Sequence, residues 1–92
     1  MTVMTLREFQ DVTRAVVERL PGELFTNLNG GITVQPRLCA DARNDRVTLG
    51  EYIEDPVMGR SIVLYYGSFR DLFRDDSLSV WSREIEETVL HE

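Results

Sequence analysis

Residues 61–66, with the sequence SIVLYY, constrain the fold more than any other segment of this chain. The run from Ile62 to Tyr66 is apolar or aromatic throughout, and its β-branched and aromatic residues favour a strand. Both faces of that strand are apolar, so it is predicted to be covered on both sides. We expect the hydrophobic core on one side and the wall of a cleft on the other.

A helix is predicted near the amino terminus. The sequence Thr5-Leu6-Arg7-Glu8 is a capping box, in which the Thr and Glu side chains accept hydrogen bonds from free backbone N–H groups. An apolar stripe at helical spacing follows it: Leu6, Phe9, Val12, Val16 and Leu20. Pro21-Gly22 ends this helix, and a short helical turn is expected through Leu28.

The middle of the chain has strand and loop character. Residues 32–35 alternate as a half-buried strand, and Pro36 restricts that strand to an edge or an end. Residues 39–46 are polar and are predicted to form a loop. Residues 47–54 are again strand-like, although the alternation slips at Gly50, where a bulge is expected. A turn over residues 55–60 leads into the strand at 61–66.

The last third of the chain is predicted to be helical. Residues 69–73 indicate one or two helical turns, and Ser77 or Ser79 is expected to cap a final helix. One face of that helix carries Leu78, Trp81, Ile85, Thr88, Val89 and Glu92. Helix, three strands and helix in this order predict an α+β fold, with a small three- or four-stranded mixed or antiparallel sheet.

Composition limits the classes of function. The 92 residues make a single domain, and the net charge of −6 with scattered arginines argues against nucleic-acid binding. No apolar run reaches the roughly 18 residues that a membrane helix needs, and the first ten residues do not form a signal peptide. The only cysteine, Cys39, is expected to be a half-buried thiol, and a cytoplasmic location fits best.

The final five residues, TVLHE, contain the first two letters of the H-E-x-x-H motif. In that motif two histidines one helical turn apart bind zinc, and the intervening Glu takes a proton from water. Glu92 also continues an apolar stripe, which is unusual because burial of an unpaired carboxylate is costly. The second histidine would lie beyond Glu92.

Several segments together are similar to one family. The sequence GRSIVLYYGSFRDLFRD, followed by WSREIEETVLHE, resembles the small zincin-like metallopeptidases of bacteria, a minimal gluzincin-type fold. The segment LGEYIEDP and the opening helix TLREFQDVTRAVVERLP are similar to it as well. The residues that match the family's two principal motifs are Arg60, Ile62, Leu64, Tyr65, Gly67, Leu72, Ile85, Thr88, Val89, His91 and Glu92.

This resemblance implies a Zn²⁺-dependent peptidase acting on a peptide or protein. His91 would be the first zinc ligand, and Glu92 the general base and later the proton donor. The strand at 62–66 would border the cleft and align an extended peptide by β-augmentation, with Tyr65 or Tyr66 facing the substrate. The other carboxylates of the last third are expected to be solvated surface: Asp71, Asp75, Asp76, Glu84, Glu86 and Glu87.

The metal site is incomplete as far as Glu92. The second histidine and the third ligand of the family are absent, so we expect a chain truncated within the helix, without zinc or activity by itself and frayed from about Val89. The alternative function is a non-catalytic protein-interaction module that keeps the zincin scaffold. The sequence leaves the substrate open, and also whether the protein forms a homo-oligomer.

Overall fold

A computed structural model describes residues 3–91 and shows three helices and five strands in this range. Between the first helix and the first strand lies a 3-10 turn, Gly22–Phe25. In chain order the elements are α1 (Leu6–Arg19), β1 (Gly31–Gln35), β2 (Cys39–Ala40), β3 (Val47–Thr48), β4 (Gly50–Asp55), β5 (Gly59–Tyr65), α2 (Tyr66–Phe73) and α3 (Leu78–His91).

The main sheet has the order β1-β5-β4, with β5 in the centre. β1 is parallel to β5, whereas β4 and β5 form an antiparallel hairpin, so the sheet is mixed. β2 and β3 form a separate two-stranded ribbon. The predicted α+β class and the small mixed sheet are therefore confirmed, and Pro36 follows an edge strand, as its missing N–H group requires.

The amino-terminal helix begins where the sequence predicts. Thr5 Oγ1 accepts from the Glu8 N–H at 3.1 Å, and Glu8 Oε1 accepts from the Thr5 N–H at 2.8 Å, so the capping box is present. These bonds to Thr5 lower the pKa of Glu8. Phe9 and Val16 are fully buried in the core, and the rest of the stripe packs against it.

β5 is covered on both faces, as its sequence predicts. Ile62 and Leu64 face the core below the sheet, and Val63 and Tyr65 are buried on the opposite face. The strand ends one residue earlier than predicted, because Tyr66 already begins α2. Successive side chains of a strand point to opposite faces, so a run that is apolar at every position serves both layers.

The three helices meet in a cluster of aromatic rings. The Phe9 ring lies 5.4 Å from Tyr66, 5.0 Å from Phe69 and 5.9 Å from Trp81, measured between centroids. The Phe9–Trp81 pair is edge-to-face, a favourable geometry for two ring quadrupoles. Tyr66 keeps its hydroxyl satisfied by donating to the Met4 carbonyl. This cluster joins α1, α2 and the start of α3.

The prediction for residues 39–54 was partly wrong. Cys39–Ala40 is a short strand paired with Val47–Thr48, so only the tip of the segment is a loop. Asp41 organises that tip, because its N–H donates to the Arg46 carbonyl and its side chain accepts from the Arg43 N–H. The predicted strand at 47–54 is interrupted at Leu49, one residue before the slip in alternation at Gly50.

The final helix is docked through its apolar stripe. Ser77 Oγ accepts from the Val80 N–H at 3.4 Å and Trp81 is 1% exposed, both as predicted. Leu78 is 62% exposed, so its place in the stripe was wrong: side chains at a helix start point back past the first turn. Val89 is 5% exposed and the helix runs through His91. That the final turn frays or is held by a neighbouring chain stays a prediction. None of the helices described is long and apolar enough to cross a membrane.

Candidate functional site

His91 lies at the rim of an open depression where α3 passes the β3–β4 segment. The depression has a volume of about 460 Å³. Its walls are residues 47–50 on the sheet side and Glu84, Glu87, Thr88 and His91 on the helix side. The periodicity of α3 sets this arrangement, because residues 84, 87, 88 and 91 share one face of a helix.

Gly50 brings the last turns of α3 against the sheet. A Cβ atom at this position would lie 2.8 Å from Thr88 Cγ2 and 3.1 Å from the Val63 carbonyl oxygen, both closer than ordinary contacts. Thr88 itself is fixed by donating its hydroxyl to the Glu84 carbonyl at 2.7 Å. The missing side chain at Gly50 therefore sets the distance between the strand and the helix that carries His91.

The imidazole of His91 is held by its own helix. Nδ1 lies 2.7 Å from the Glu87 carbonyl oxygen, and since a carbonyl only accepts, Nδ1 carries the proton. Nε2 of the neutral ring then has a free lone pair, and the ring is exposed at the depression. Histidines that bind metals are oriented in this way, with one ring N–H on a carbonyl and the other nitrogen as ligand.

Among the described residues, His91 is suited to bind zinc, but the further ligands that would complete a zinc site are not present. His91 supplies one oriented nitrogen, whereas a catalytic zinc ion takes three protein ligands. Within residues 3–91 there is no group of three or more His, Cys, Asp or Glu that is arranged to hold a metal ion. Glu92, the predicted general base, lies outside the described residues.

The two carboxylates at the depression are surface groups, as predicted for the acidic residues of the last third. Glu87 is exposed, and Glu84 is half-buried with Arg83 Nη2 3.8 Å from its Oε1. Glu86 pairs with Arg19 of α1 at 3.6 Å. Exposed pairs at these distances contribute little to stability. Glu84 and Glu87 make the face of α3 that carries His91 locally negative.

Neither tyrosine that was predicted to face a substrate lines this depression. Tyr66 lies in the aromatic cluster near the start of α3. Tyr65 lies on the opposite face of the sheet, where its hydroxyl donates to Glu51 Oε1 at 2.9 Å and the Arg37 guanidinium stacks over its ring at 4.8 Å. Burial, followed by the Glu51 carboxylate, raises the pKa of Tyr65 to about 12.

β-augmentation on β5 is not available, so that prediction was wrong. β5 is already paired on both edges, with β1 on one side and β4 on the other. In the three-stranded sheet, the edges left without a partner strand belong to β1 and β4. β4 is the edge beside the depression, because Gly50 begins it and also contacts Thr88.

Glu51 supports this corner of the sheet in a way that was not predicted from the sequence. Its carboxylate accepts from Tyr65, and the half-buried Cys39 thiol lies 3.6 Å from the same oxygen. The Tyr65 N–H also donates to the Leu49 carbonyl at 2.9 Å, which fixes the segment leading into Gly50. The slip in alternation at Gly50 was the only available signal, because Glu51 looks like any exposed strand residue.

Comparisons with known proteins identify the fold and no activity. No protein-family model matches the chain, and no curated protein matches it either. A solved structure of a conserved hypothetical protein from Thermus thermophilus is similar, with a TM-score of 0.82 and 28% sequence identity. The similarity covers 96% of this chain and 89% of that chain, so it includes nearly all of the elements described above.

Proposed function

We propose that this chain carries part of a zinc-dependent peptidase site, with His91 as the first ligand and a peptide or protein as substrate. The observation that carries the proposal is the His91 ring: Nδ1 is held on the Glu87 carbonyl, and Nε2 has no hydrogen-bond partner among residues 3–91, beside an open depression. The resemblance of the H-E helix and the preceding strand to small zincin-like metallopeptidases supports the same function. The single cysteine supports a cytoplasmic location.

Each residue of the proposed site has a separate role in peptide hydrolysis. A zinc ion, when bound, acts as a Lewis acid that makes water nucleophilic near neutral pH. Glu92 is proposed to accept the proton of the attacking water and to return it to the leaving amine. Glu87 positions His91 through its backbone carbonyl, so its carboxylate is not needed for that role. The proposed site also needs further ligands that residues 3–91 do not supply.

The first test measures metal binding by the intact gene product. After loading with zinc and removal of excess metal, we expect about one zinc per chain, and a loss of this zinc in His91→Ala. The variant is expected to fold normally, because His91 is exposed and its side chain, within the described part of the chain, bonds only to the Glu87 carbonyl of its own helix. Equal zinc content in wild type and His91→Ala would remove His91 from the site.

The second test separates catalysis from metal binding. Glu92→Gln is expected to retain zinc and to lose peptide hydrolysis by about 10²–10⁴-fold, the usual scale for removal of a general base. Glu87→Gln is the matched control, since it makes the same change five residues earlier and keeps the carbonyl that holds His91. Hydrolysis that survives in Glu92→Gln, or falls equally in both variants, would contradict the proposed role.

The alternative function, a non-catalytic interaction module, predicts a different outcome of these tests. A chain that folds and binds no zinc in the intact gene product would be a non-catalytic interaction module on the same scaffold. Zinc binding that depends on His91, followed by hydrolysis that depends on Glu92, excludes this alternative.

A further inference from the structure

A groove lies between α1 and β1, at the edge of the sheet opposite to β4. Its volume is about 620 Å³. Half-buried apolar side chains line it from both sides: Val17 of α1, Phe25 of the 3-10 turn, and Ile32 and Val34 of β1. We call it the β1 groove. Its apolar lining is only partly shielded from water by the rest of the described chain, so a partner that covered it would stabilise it.

Alternate residues of β5 bond to the two strands beside it. The Tyr65 N–H donates to the Leu49 carbonyl, which continues the antiparallel register of β4 and β5. An antiparallel ladder alternates between bonded and non-bonded pairs, so the odd-numbered residues of β5 bond to β4. Its even-numbered residues, including Ile62 and Leu64, therefore turn their N–H and C=O groups toward β1.

The parallel register of β1 and β5 then shows which groups of β1 point outward. Thr33 lies opposite Val63, so Thr33 bonds to residues 62 and 64 on either side of it. The same alternation turns the N–H and C=O groups of Ile32 and Val34 away from β5. No hydrogen bond to these groups is formed within residues 3–91. The free backbone groups thus belong to the two residues of β1 whose side chains are partly open in the groove.

This edge lacks the features that usually prevent a strand edge from pairing with another chain. Such protection comes from Lys or Pro within the strand, from inward-pointing charges or from a bulge. Residues 32–34 contain none of these, and Pro36 lies beyond the end of the strand. A small apolar ligand would fill the groove and leave the backbone groups unpaired. A second strand satisfies the backbone groups and covers the apolar side chains together.

A second copy of β1 fits this edge best in one register. When two β1 strands pair antiparallel about a two-fold axis at Thr33, Ile32 of each copy lies opposite Val34 of the other. Each of these pairs exchanges two hydrogen bonds, so both N–H and both C=O groups of each strand are used. An axis at Ile32 would place Val34 opposite Gly30, whose N–H already bonds to β5. An axis at Val34 would place Ile32 opposite Pro36, which has no N–H.

The same register also matches the side chains. Because residues two apart share a face, Ile32 and Val34 of both copies form one apolar cluster on the groove side. On the other face the exposed Thr33 side chains lie opposite each other in a non-hydrogen-bonded pair, where side chains approach most closely. The charged residues at the groove, Arg14 and Glu18, are opposite in sign, so the two grooves meet without a net like charge.

We propose that β1 is a dimerisation strand, through which two copies of this chain pair antiparallel about a two-fold axis at Thr33. The pairing joins the two three-stranded sheets into one, with both α1 helices on the same side of it. The two β1 grooves meet at the axis, where each copy covers apolar side chains of the other. The His91 depressions lie beside β4, at the far edges of the joined sheet, so this inference does not depend on the proposed function.

The first test measures association of the 92-residue chain without metal. Sedimentation equilibrium between about 5 and 500 μM should show a dimer that dissociates on dilution, because one short strand and one groove make a small interface. The amide protons of Ile32 and Val34 should exchange at least about ten-fold more slowly at the highest concentration than at the lowest. The Tyr52 amide is the internal control, since it points away from β5 on the opposite edge of the sheet.

A charge placed at the axis tests the two-fold symmetry. Thr33→Glu sets two carboxylates opposite each other and should weaken the dimer by about ten-fold or more. Gln35→Glu is the matched control on the same exposed face, because Gln35 lies opposite Gly31 and the two new charges are roughly 14 Å apart. An equimolar mixture of Thr33→Glu and Thr33→Lys should recover the dimer, since the opposed charges then attract. Circular dichroism checks that each variant is folded.

A chain that stays monomeric at the highest concentration would overturn the proposal. A dimer that resists Thr33→Glu, that Gln35→Glu weakens equally, or that the folded Glu and Lys variants fail to recover would overturn it too. The exchange rates of Ile32 and Val34 in the wild type decide the question even if a Thr33 variant does not fold, because concentration-independent rates place the interface elsewhere. No zinc is present, so failure here is distinct from failure of the proposed metal site.

Discussion

The two ends of α3 differ in what their side chains do. At its start, Trp81 packs into rings from α1 and α2, and Ile85 continues that buried face. At its end, Val89 is still buried, but Leu90 and His91 are exposed beside two concave surfaces. The comparison teaches that one helix holds the fold together at its start and leaves side chains exposed beside concave surfaces at its end, because only the start is enclosed by α1 and α2.

The largest expected effect is at the buried end. Trp81→Ala should lower the free energy of unfolding by about 3–5 kcal/mol, since it empties the centre of the aromatic cluster. Leu78→Ala, in the exposed first turn of the same helix, should change it by less than about 0.5 kcal/mol. Urea denaturation followed by circular dichroism measures both. Similar losses of unfolding free energy in the two variants would show that the burial of Trp81 does not distinguish it from the exposed Leu78 in its contribution to stability.

A smaller effect is expected where the other end meets the sheet. Gly50→Ala should cost about 1–3 kcal/mol, because its Cβ would overlap Thr88 and the Val63 carbonyl and push the last turns of α3 outward. In the intact gene product it should also weaken zinc binding through His91. Gly22→Ala is the control, since nothing lies within 4 Å of a Cβ atom there. If Gly50→Ala were as stable as the wild type, the close approach of α3 to the sheet at Gly50 would be contradicted.

The smallest expected effect concerns Tyr65, which supports the same corner from the other face of the sheet. Tyr65→Phe should cost about 1 kcal/mol at neutral pH, through loss of the hydrogen bond to Glu51. Folding raises the pKa of Tyr65 from its ordinary 10.0 to about 12. The neutral phenol therefore stabilises the fold fully below about pH 10, and this contribution is lost as the pH rises toward 12.

Denaturation curves between about pH 9 and pH 12 check the sign of this dependence. Wild type should lose stability more steeply than Tyr65→Phe above about pH 10, so that the difference between them narrows. Parallel curves for the two proteins would mean that Tyr65 is not linked to folding through its hydroxyl.

Much of α1 and of the buried end of α3 could be predicted from the sequence. The capping box at Thr5 and the stripe through Phe9 and Val16 follow from residues three or four apart on α1, and the burial of Trp81 follows from the same spacing on α3. Leu78 is the exception at that end, because it fitted the stripe by spacing, yet it points past the start of the helix. The exposed end was predicted less well, since Tyr65 and Tyr66 were assigned to a cleft and neither lines the depression at His91.

The sequence by itself determined the elements that local interactions specify: the start of α1, the doubly apolar strand β5, the Ser77 cap and the burial of Trp81. Only the tertiary structure decided which strand is central, which edge is free and which residues surround His91. The physical reason is the distance along the chain over which each interaction acts. Capping and periodicity act between neighbours in the chain, whereas the order β1-β5-β4 and the contact of Gly50 with Thr88 join residues that are far apart in it.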